Sequence, residues 1–356
     1  MSKIIFNRDE LRRIGDEWKR FFQGELDKPM IFMGTVFSHF DEPKLKQRKG
    51  FPMYPPEISA EEIIDIEDAC LGCRAFVGDT YPCMSLNFGP GSLSSYFGAR
   101  HEVTDSVWFF PTAERLEDIP EKIDTGHWWY QRILDLLDAA GAKWASTPVQ
   151  VGGSDMGNNL DVLAELRGNS ELALDLVDEP ELVKQKLRAI TAAWRDCYQR
   201  EYEKIAPITG YSTAALGALS ERKTARLQSD FGYMISPAMF EEFVIPDILA
   251  LCDFLDDPCY HLDGIPQLQH LPFILNIPKI RAIEFVHGAG QKPPCEWTHV
   301  YKQIHNAGKQ CLLFVNSKDA LDLKRAMGGT LRGFGLYVGD FMTVDEARDV
   351  YRQLVS

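Results

Sequence analysis

The sequence predicts an α/β protein: a single (β/α)8 TIM barrel with an N-terminal helical and loop extension. First, apolar segments of strand length alternate with helical patterns, which is typical of parallel β/α units. Second, eight such apolar segments occur, and a chain of 356 residues is long enough for a barrel. Third, no G-x-G-x-x-G motif follows a strand, which disfavours an open dinucleotide-binding sheet. Because no composition break interrupts the pattern, residues 1–356 are expected to form one domain.

The amino-terminal part begins with a helix, because Leu11, Ile14 and Trp18 recur at helical spacing within residues 8–23. This helix belongs to an extension that covers residues 1–28. Residues 38–58 are polar and hold four prolines. Long loops of this kind are often functional, so we expect this segment to be a lid.

The remaining elements follow from apolar runs, helical periods and end signals. Ser59-Ala-Glu-Glu and Thr343-Val-Asp-Glu are capping boxes that each begin a helix, and Pro180 suits the first turn of a long one. The strand candidates are 30–34, 147–153, 207–212, 226–231, 258–262, 280–286, 311–315 and 331–338. The helix candidates are 8–23, 59–76, 127–141, 160–168, 179–205, 237–255, 297–307, 317–327 and 345–354.

Composition excludes several classes of partner. The net charge is −14, and no extended basic patch is present, so a nucleic-acid partner is not expected. No apolar run approaches the roughly 20 residues that span a bilayer. Eight scattered cysteines and an N-terminus without a signal-peptide core favour a reduced, cytoplasmic protein.

Ionisable side chains lie at the carboxyl ends of three consecutive strand candidates. Asp230 ends one, His261 and Asp263 end the next, and Glu284 lies in the third. A barrel places its chemistry at these strand ends, and carboxylates are not buried on strands without partners. His261 and Asp263 are two apart, so they share a face of their strand. The pair suits a divalent metal such as zinc or an acid/base couple, and the residues alone do not separate the two.

Single polar residues after other strands are better explained as helix caps or turn formers. This interpretation applies to Asp155, Asn316 and Asp340 when each is considered separately.

Two stretches resemble the uroporphyrinogen decarboxylase superfamily: Leu-Gln-Ser-Asp-Phe-Gly-Tyr-Met-Ile-Ser-Pro at 227–237 and Phe-Glu-Glu-Phe-Val-Ile-Pro at 240–246. The resemblance covers roughly residues 140–355 and implies one (β/α)8 barrel with a cleft at the strand ends. It also implies one of two activities. These are cofactor-free decarboxylation of a tetrapyrrole and zinc-dependent methyl transfer that involves a corrinoid protein.

Departures from the family pattern favour methyl transfer. True decarboxylases carry an arginine-rich R-P-x-W-x-M-R-Q-A-G-R segment, and this chain has Lys-Pro-Met-Ile-Phe-Met-Gly-Thr at 28–35. Thiol-activating members bind zinc through His-x-Cys and a distant Cys. His261 matches the histidine, Asp263 takes the first Cys position, and no Cys lies near 337–342. The resemblance thus implies a harder zinc set of His261, Asp263 and either Glu284 or Asp340, suited to polarising an oxygen leaving group.

The resulting expectation is a corrinoid-linked methyltransferase that demethylates a small O- or N-methyl compound. Asp230, His261, Asp263 and Glu284 would be catalytic, with Asp230 orienting the substrate. The expected partners are a small-molecule substrate, a corrinoid-binding protein and, by family analogy, a second copy of the chain. The pocket is expected to be lined by Asn87, Asn158, Tyr233, Phe231 and Trp297.

Two alternatives remain open. One is a metal-free decarboxylase or lyase on a small carboxylate or tetrapyrrole, in which Asp230 and His261 carry the protons. The other is a tetrapyrrole- or corrinoid-binding protein without catalysis.

Overall fold

The computed structural model describes residues 4–39, 45–104 and 106–356 and shows an α/β fold. The strands are β1 (Met30–Val36), β2 (Cys83–Ser85), β3 (Arg100–Val103), β4 (Val107–Phe110), β5 (Gln150–Gly152), β6 (Ser212–Thr213), β7 (Leu219–Ser220), β8 (Arg226–Leu227), β9 (Cys259–Asp263), β10 (Ala282–Val286), β11 (Gln310–Val315) and β12 (Phe334–Met342). The helices are α1 (Arg8–Phe22), α2 (Ala60–Leu71), α3 (Ser92–Tyr96), α4 (Trp128–Trp144), α5 (Asn159–Arg167), α6 (Asn169–Asp178), α7 (Pro180–Thr209), α8 (Pro237–Met239), α9 (Ile245–Phe254), α10 (Leu271–Leu275), α11 (Thr298–Asn306), α12 (Ser317–Ala326) and α13 (Val344–Val355).

The central sheet contains six parallel strands in the order β1-β12-β11-β10-β9-β8 and is curled into part of a barrel. Strands β2 and β5 form a separate parallel pair, whereas β3–β4 and β6–β7 are antiparallel pairs. Among the described residues, the backbone ladders therefore join six strands, and the closure of eight strands that the sequence predicts is not confirmed. Strand β2 lies in an apolar segment that the strand count did not include.

Two predicted strands are much shorter than expected. In the segment 207–212, helix α7 continues through Pro207 and ends at Thr209, and it is followed by Gly210, whose φ of 90° suits glycine. Only Ser212–Thr213 is then extended. In the segment 226–231, the strand ends at Leu227, and a 3₁₀ turn occupies Asp230–Met234.

Both predicted capping boxes are confirmed. The Ser59 hydroxyl accepts the Glu62 N–H while the Glu62 carboxylate accepts the Ser59 N–H, and Thr343 and Glu346 do the same at α13. These reciprocal bonds satisfy backbone donors that the first helical turn leaves free. The long helix also begins at Pro180, as the sequence predicts.

The predicted lid, 38–58, is described only in part, because residues 40–44 lie outside the described ranges. Within the described part, Phe51 and Tyr54 are buried, and the Phe51 ring stacks on Phe88 with the centroids 6.0 Å apart. Residues 51–54 are therefore anchored on the core.

The apolar core has two parts, which follow from the alternation of side chains along the strands. Outward-facing residues such as Ile283, Leu313 and Leu336 pack in a large cluster against the surrounding helices. Inward-facing residues such as Ala282 and Leu312 form a second cluster with the apolar face of α1. The α1 side chains in this second cluster are Leu11, Ile14, Trp18, Phe21 and Phe22. Helix α1 thus packs against the inner face of the curled sheet, on the side where the strands begin.

None of the described helices combines the length and the apolar character that a membrane span requires.

Replacing Trp18 by alanine is expected to lower the free energy of unfolding by about 3–5 kcal/mol, because the ring is 2% exposed at the centre of the inner cluster. Urea unfolding at pH 7 would measure the change. The control is Trp108→Ala, since that ring is 59% exposed and its removal should change stability by about 0.5 kcal/mol or less. Equal effects of the two substitutions would contradict the role of α1.

Candidate functional site

Three ionisable side chains converge where β8 and β9 end. Asp230, His261 and Asp263 each offer one ligand atom, and these atoms all lie within 4.8 Å of one another. His261 and Asp263 alternate on β9 and share its inner face, while Asp230 begins the 3₁₀ turn after β8. We call these three residues the acidic cluster.

Glu284 supports the acidic cluster from the neighbouring strand. It is paired with His261 in the β9–β10 register, and its side chain is fully buried. Its Oε1 lies 3.2 Å from His261 Nδ1 and 3.6 Å from the guanidinium of Arg226. A buried carboxylate requires such cationic or donor neighbours. Glu284 therefore contacts the nitrogen of His261 that faces away from Asp263.

Arg226 lies between the carboxylate of Glu284 and that of Asp155, which follows strand β5. Its guanidinium contacts Asp155 at 2.5 Å as well as Glu284, and these negative charges raise its pKa although burial opposes the shift. The sequence analysis assigned Asp155 only a local turn or cap and did not consider Arg226. The signal that could have identified Arg226 was an arginine at the first position of the strand candidate 226–231.

The backbone of Asp230 is held by Asp161 on α5. The two carboxylate oxygens of Asp161 accept the N–H groups of Asp230 at 2.9 Å and Phe231 at 2.7 Å. These bonds explain why the chain leaves the β8 ladder and turns at Asp230. Burial and the nearby charge of Asp230 raise the pKa of Asp161 to about 7. The sequence analysis missed this residue, because a helix position gave no sign that it faced the strand ends.

The pKa values of Asp230 and His261 are both raised above their usual values. Desolvation by the surrounding protein raises the pKa of Asp230 although part of its surface reaches solvent, with a further rise from the charge of Asp263 and an opposing effect of His261. Burial alone would lower the pKa of His261, but the adjoining Glu284 outweighs it, so the pKa lies above its usual value. Perturbed pKa values of neighbouring ionisable groups are a common property of functional sites.

A cavity of about 370 Å³ adjoins the acidic cluster. Its mouth is formed by the ends of β9 and β10 and by the 3₁₀ turn at 230–234. The lining residues are Asp230, Tyr233, Asp263, Gly264, Ile265, Pro266, His287, Gly288 and Gln291. A cleft of 670 Å³ lies elsewhere, between α1 and the carboxyl ends of α4 and α7, and contains none of the predicted site residues.

Of the predicted pocket residues, only Tyr233 lines the cavity beside the acidic cluster. Tyr233 is 57% exposed and lines the cavity. Phe231 is buried, and so is Trp297, whose indole donates to the Lys292 carbonyl and whose ring contacts Phe285. Neither belongs to the lining of the cavity.

The remaining predicted residues have local partners. Asn87 is exposed and accepts the Gly89 N–H. Asn158 is buried and accepts the Gln228 N–H at 3.4 Å. Asp340 accepts the Ser317 N–H at 2.6 Å, and Asn316 caps the same helix, α12. These contacts agree with the capping role considered for Asn316 and Asp340.

Two members of the acidic cluster, His261 and Asp263, lie within the distance that one divalent metal can bridge. His261 Nε2 and Asp263 Oδ2 are 3.9 Å apart, and two atoms bound to one zinc at about 2.1 Å can be at most about 4.2 Å apart. Asp230 is exposed and can adjust its rotamer. The three atoms that come together belong to Asp230, His261 and Asp263, whereas Glu284, which was expected as a ligand, lies against His261 Nδ1. Orientation of a ligating histidine by a buried carboxylate is common in metal sites.

The fold and the site together define an α/β protein with an acidic, metal-compatible cluster at the carboxyl ends of its parallel strands. No protein-family model matches the chain, and no curated protein matches it. Among solved structures, a methyltransferase from Methanosarcina mazei aligns with a TM-score of 0.63 and 12% identity, over 96% of this chain and 97% of that chain. This similarity shows a shared fold.

A second alignment is much poorer. A HpcH/Hpal aldolase/citrate lyase family protein from Burkholderia cenocepacia J2315 aligns over 94% of each chain at 11% identity, with a TM-score of 0.32. A TM-score this low carries no structural argument.

Replacing Glu284 by glutamine is expected to lower the pKa of His261, because burial then acts without the opposing carboxylate. NMR titration of the metal-free protein would measure it. His287 is the control: burial lowers its pKa, with Asp319 acting against that shift, so E284Q should leave it unchanged. The stabilisation from the His261–Glu284 pair is present below pH 6.5 and is lost as pH rises through the raised pKa. An unchanged His261 titration would contradict this arrangement.

Asp247 on α9 gives a second pH-dependent prediction. Burial raises its pKa to about 7, an effect that the nearby Asn159 and Asn158 side chains partly offset. The folded state then keeps a proton that the unfolded state has lost, so this group lowers stability as pH rises from about 4 to about 7. Asp247→Asn should raise the free energy of unfolding at pH 8 by on the order of 1–3 kcal/mol, with less effect at pH 5.

Urea unfolding at both pH values would measure this difference. Asp253→Asn is the control, because Asp253 lies on the same helix but is exposed. Equal behaviour of the two variants would show that burial of Asp247 does not control the pH dependence.

Proposed function

We propose that this protein is a methyltransferase of the uroporphyrinogen decarboxylase superfamily. It would transfer a methyl group between a small O- or N-methyl compound and a corrinoid carried by a partner protein. A divalent metal such as zinc would be held by Asp230, His261 and Asp263. The observation that carries the proposal is the convergence of two carboxylates and an imidazole within 4.8 Å at the strand ends, beside a cavity of about 370 Å³.

Some residues of the site would bind the metal or the substrate, and others would orient the side chains that do so. The contact of Glu284 with Nδ1 leaves His261 Nε2 on the side of Asp263, available to a metal. Asp161 holds the backbone of Asp230, from which the more exposed carboxylate of the cluster reaches towards His261 and Asp263. Tyr233 and Gln291 line the cavity in which the substrate would lie.

The ligand set indicates which leaving group the site favours. A zinc ion with two carboxylate ligands and one imidazole keeps more positive charge than one with thiolates, so as a Lewis acid it would polarise an oxygen or nitrogen leaving group. The shared fold with the methyltransferase from Methanosarcina mazei supports the reaction class.

A metal-free lyase is the second candidate, and one observation favours it. The pKa values of Asp230 and His261 are both raised, so each group keeps its proton to a higher pH than usual, and the two lie together at the end of the strands. In that case the acidic cluster itself carries the proton transfer, and the reaction is insensitive to chelators.

Metal analysis of protein purified without chelator tests the proposal. We expect close to one zinc per chain, falling by at least about tenfold in His261→Ala and Asp263→Asn, since removal of one of three ligands sharply lowers affinity. Methyl transfer from methoxylated or N-methylated compounds to free cob(I)alamin should fall with the metal content.

The matched control is His287→Ala, because His287 lines the same cavity but lies outside the acidic cluster. It should keep its metal. Less than about a tenth of a zinc per chain in the unaltered protein, with no dependence on His261, would reject the metal-assisted version. Full turnover of a carboxylate substrate after chelation would favour the lyase.

A further inference from the structure

The cleft of about 670 Å³ between α1 and the carboxyl ends of α4 and α7 lies outside the site described above. The segments that form its walls lead into the starts of β5 and β6, whereas the acidic cluster lies where strands β8 and β9 end. Its volume is in the range of about 300–1,000 Å³ that is typical of small-molecule sites. The cleft is therefore large enough for an organic ligand that binds away from the acidic cluster.

The cleft is cationic although the protein is acidic. The chain has a net charge of −14, yet three of the described residues that line the cleft are cations, and none of them carries a carboxylate. The cations are Arg8 and Arg12 on α1 and Lys204 on α7. A local excess of positive charge on an otherwise negative surface attracts anions.

The internal partners of these cations leave most of their donors free. Arg12 contacts Asp9 at 2.7 Å, but the two side chains are 68% and 76% exposed, and an ion pair in that setting contributes little. Arg8 donates one N–H to a backbone carbonyl at 3.4 Å, and a guanidinium has five. Lys204 contacts Asp138, whose side chain is largely exposed. An anion can therefore bind here without breaking a strong internal contact.

A tyrosine hydroxyl without a partner belongs to the same cleft. Tyr211 lines the cleft and is 7% exposed, and its hydroxyl makes no hydrogen bond to any described residue. Burial raises the pKa of Tyr211, with further rises from Glu221 and Asp16, so the hydroxyl keeps its proton and can donate. The charge of Arg12 acts in the opposite direction, because that guanidinium lies nearby. Buried polar groups normally have a partner, and a ligand in the cleft would supply one.

Helix α1 contains a glycine where the Tyr211 ring lies against it. Gly15 is buried, and a Cβ at this position would lie 2.6–2.7 Å from the ring and the hydroxyl of Tyr211. Glycine weakens the interior of a helix, so α1 loses some stability at the point that admits the ring. Arg12 precedes Gly15 by three residues and shares its side of the helix. The guanidinium and the hydroxyl can therefore contact the same ligand.

The remaining wall of the cleft is partly apolar. Leu11 and Ile208 line it as buried side chains, and Pro207 lines it as an exposed one. A bare inorganic ion would leave these surfaces in contact with water, whereas a ligand with an apolar part would cover them. The cleft thus combines donors for an anion with a surface for an organic group.

We propose that this cleft binds a small phosphate monoester, with the phosphate held by the three cations and the Tyr211 hydroxyl and the organic part packed on Leu11 and Ile208. Phosphate oxygens accept strong hydrogen bonds from charged donors, and a guanidinium can bind two oxygens at once. The cleft shares no residue with the acidic cluster, so the inference does not depend on the proposed function.

The experiment is calorimetric titration of the full chain at low ionic strength with phenyl phosphate, inorganic phosphate and phenol. Phenyl phosphate should bind most tightly, because it alone offers both the anion and the apolar ring. Arg12→Gln should weaken its binding by about tenfold, since a charged donor is lost. Tyr211→Phe keeps the ring against Gly15 and removes only the hydroxyl, so it should weaken binding by about three- to tenfold.

Arg20→Gln is the matched control, because Arg20 is an exposed arginine of the same helix that lies outside the cleft. It lowers the net positive charge of α1 by the same amount as Arg12→Gln and should leave binding unchanged. The inference is overturned if phenyl phosphate binds no more tightly than phenol or inorganic phosphate. Equal effects of Arg20→Gln and Arg12→Gln, or full binding by both Arg12→Gln and Tyr211→Phe, would overturn it as well.

A further variant separates this cleft from the acidic cluster. His261→Ala should bind phenyl phosphate as the unaltered chain does, whether or not the unaltered chain holds a metal. Loss of binding in His261→Ala would show that the phosphate binds at the strand ends and would reject the site beside α1. Unchanged binding in His261→Ala, together with weaker binding in Arg12→Gln, would support it even if the methyltransferase proposal fails.

Discussion

The arrangement of the site depends on the burial of one carboxylate. Glu284 has no exposed surface, so its charge must be compensated from within the protein. His261 and Arg226 provide that compensation from the two preceding strands, and Arg226 also contacts Asp155 after β5. Four strand ends are thus connected through one set of charges. The imidazole held in this way presents its other nitrogen to Asp263, and the geometry of the acidic cluster follows from this orientation.

The two faces of the sheet have different functions, and the alternation of side chains along each strand separates them. Outward residues such as Ile283 and Leu313 bind the helices to the sheet. Inward residues change in character along the strand: Ala282 and Leu312 pack on α1 where the strands begin, whereas Glu284 and His261 lie nearer their ends. A single strand therefore contributes residues both to the inner apolar cluster that packs on α1 and to the polar site.

Sequence patterns predicted the regular parts of this fold well. The nine predicted helices, both capping boxes and the longer strands β9 to β12 were recovered, because each carries a local signal in periodicity or end chemistry, whereas helices α3, α6 and α10 were not predicted. The failures have physical causes. Pro207 continues a helix whose preceding turns already hold it, and the strand at 226 ends early because Asp161, distant in sequence, binds the backbone of Asp230. The predicted cluster of ionisable groups came from strand-end positions, but its internal order, with Glu284 behind His261, depends on packing that no local pattern encodes.

The pairing of β1 with β12 has a consequence for how the chain is made. Met30 is paired with Gly335, and the Trp18 ring of α1 packs against the same part of β12, so α1 and β1 find partners about 300 residues later in the chain. During translation, the edge of β1 that pairs with β12 remains uncovered until β12 has left the ribosome, whereas the other edge can already bond to residues 74–80. Such distant contacts slow folding and expose surfaces that aggregate. Joining the two termini and opening the chain at a surface loop would shorten this wait, since β1 and β12 would then emerge one after the other.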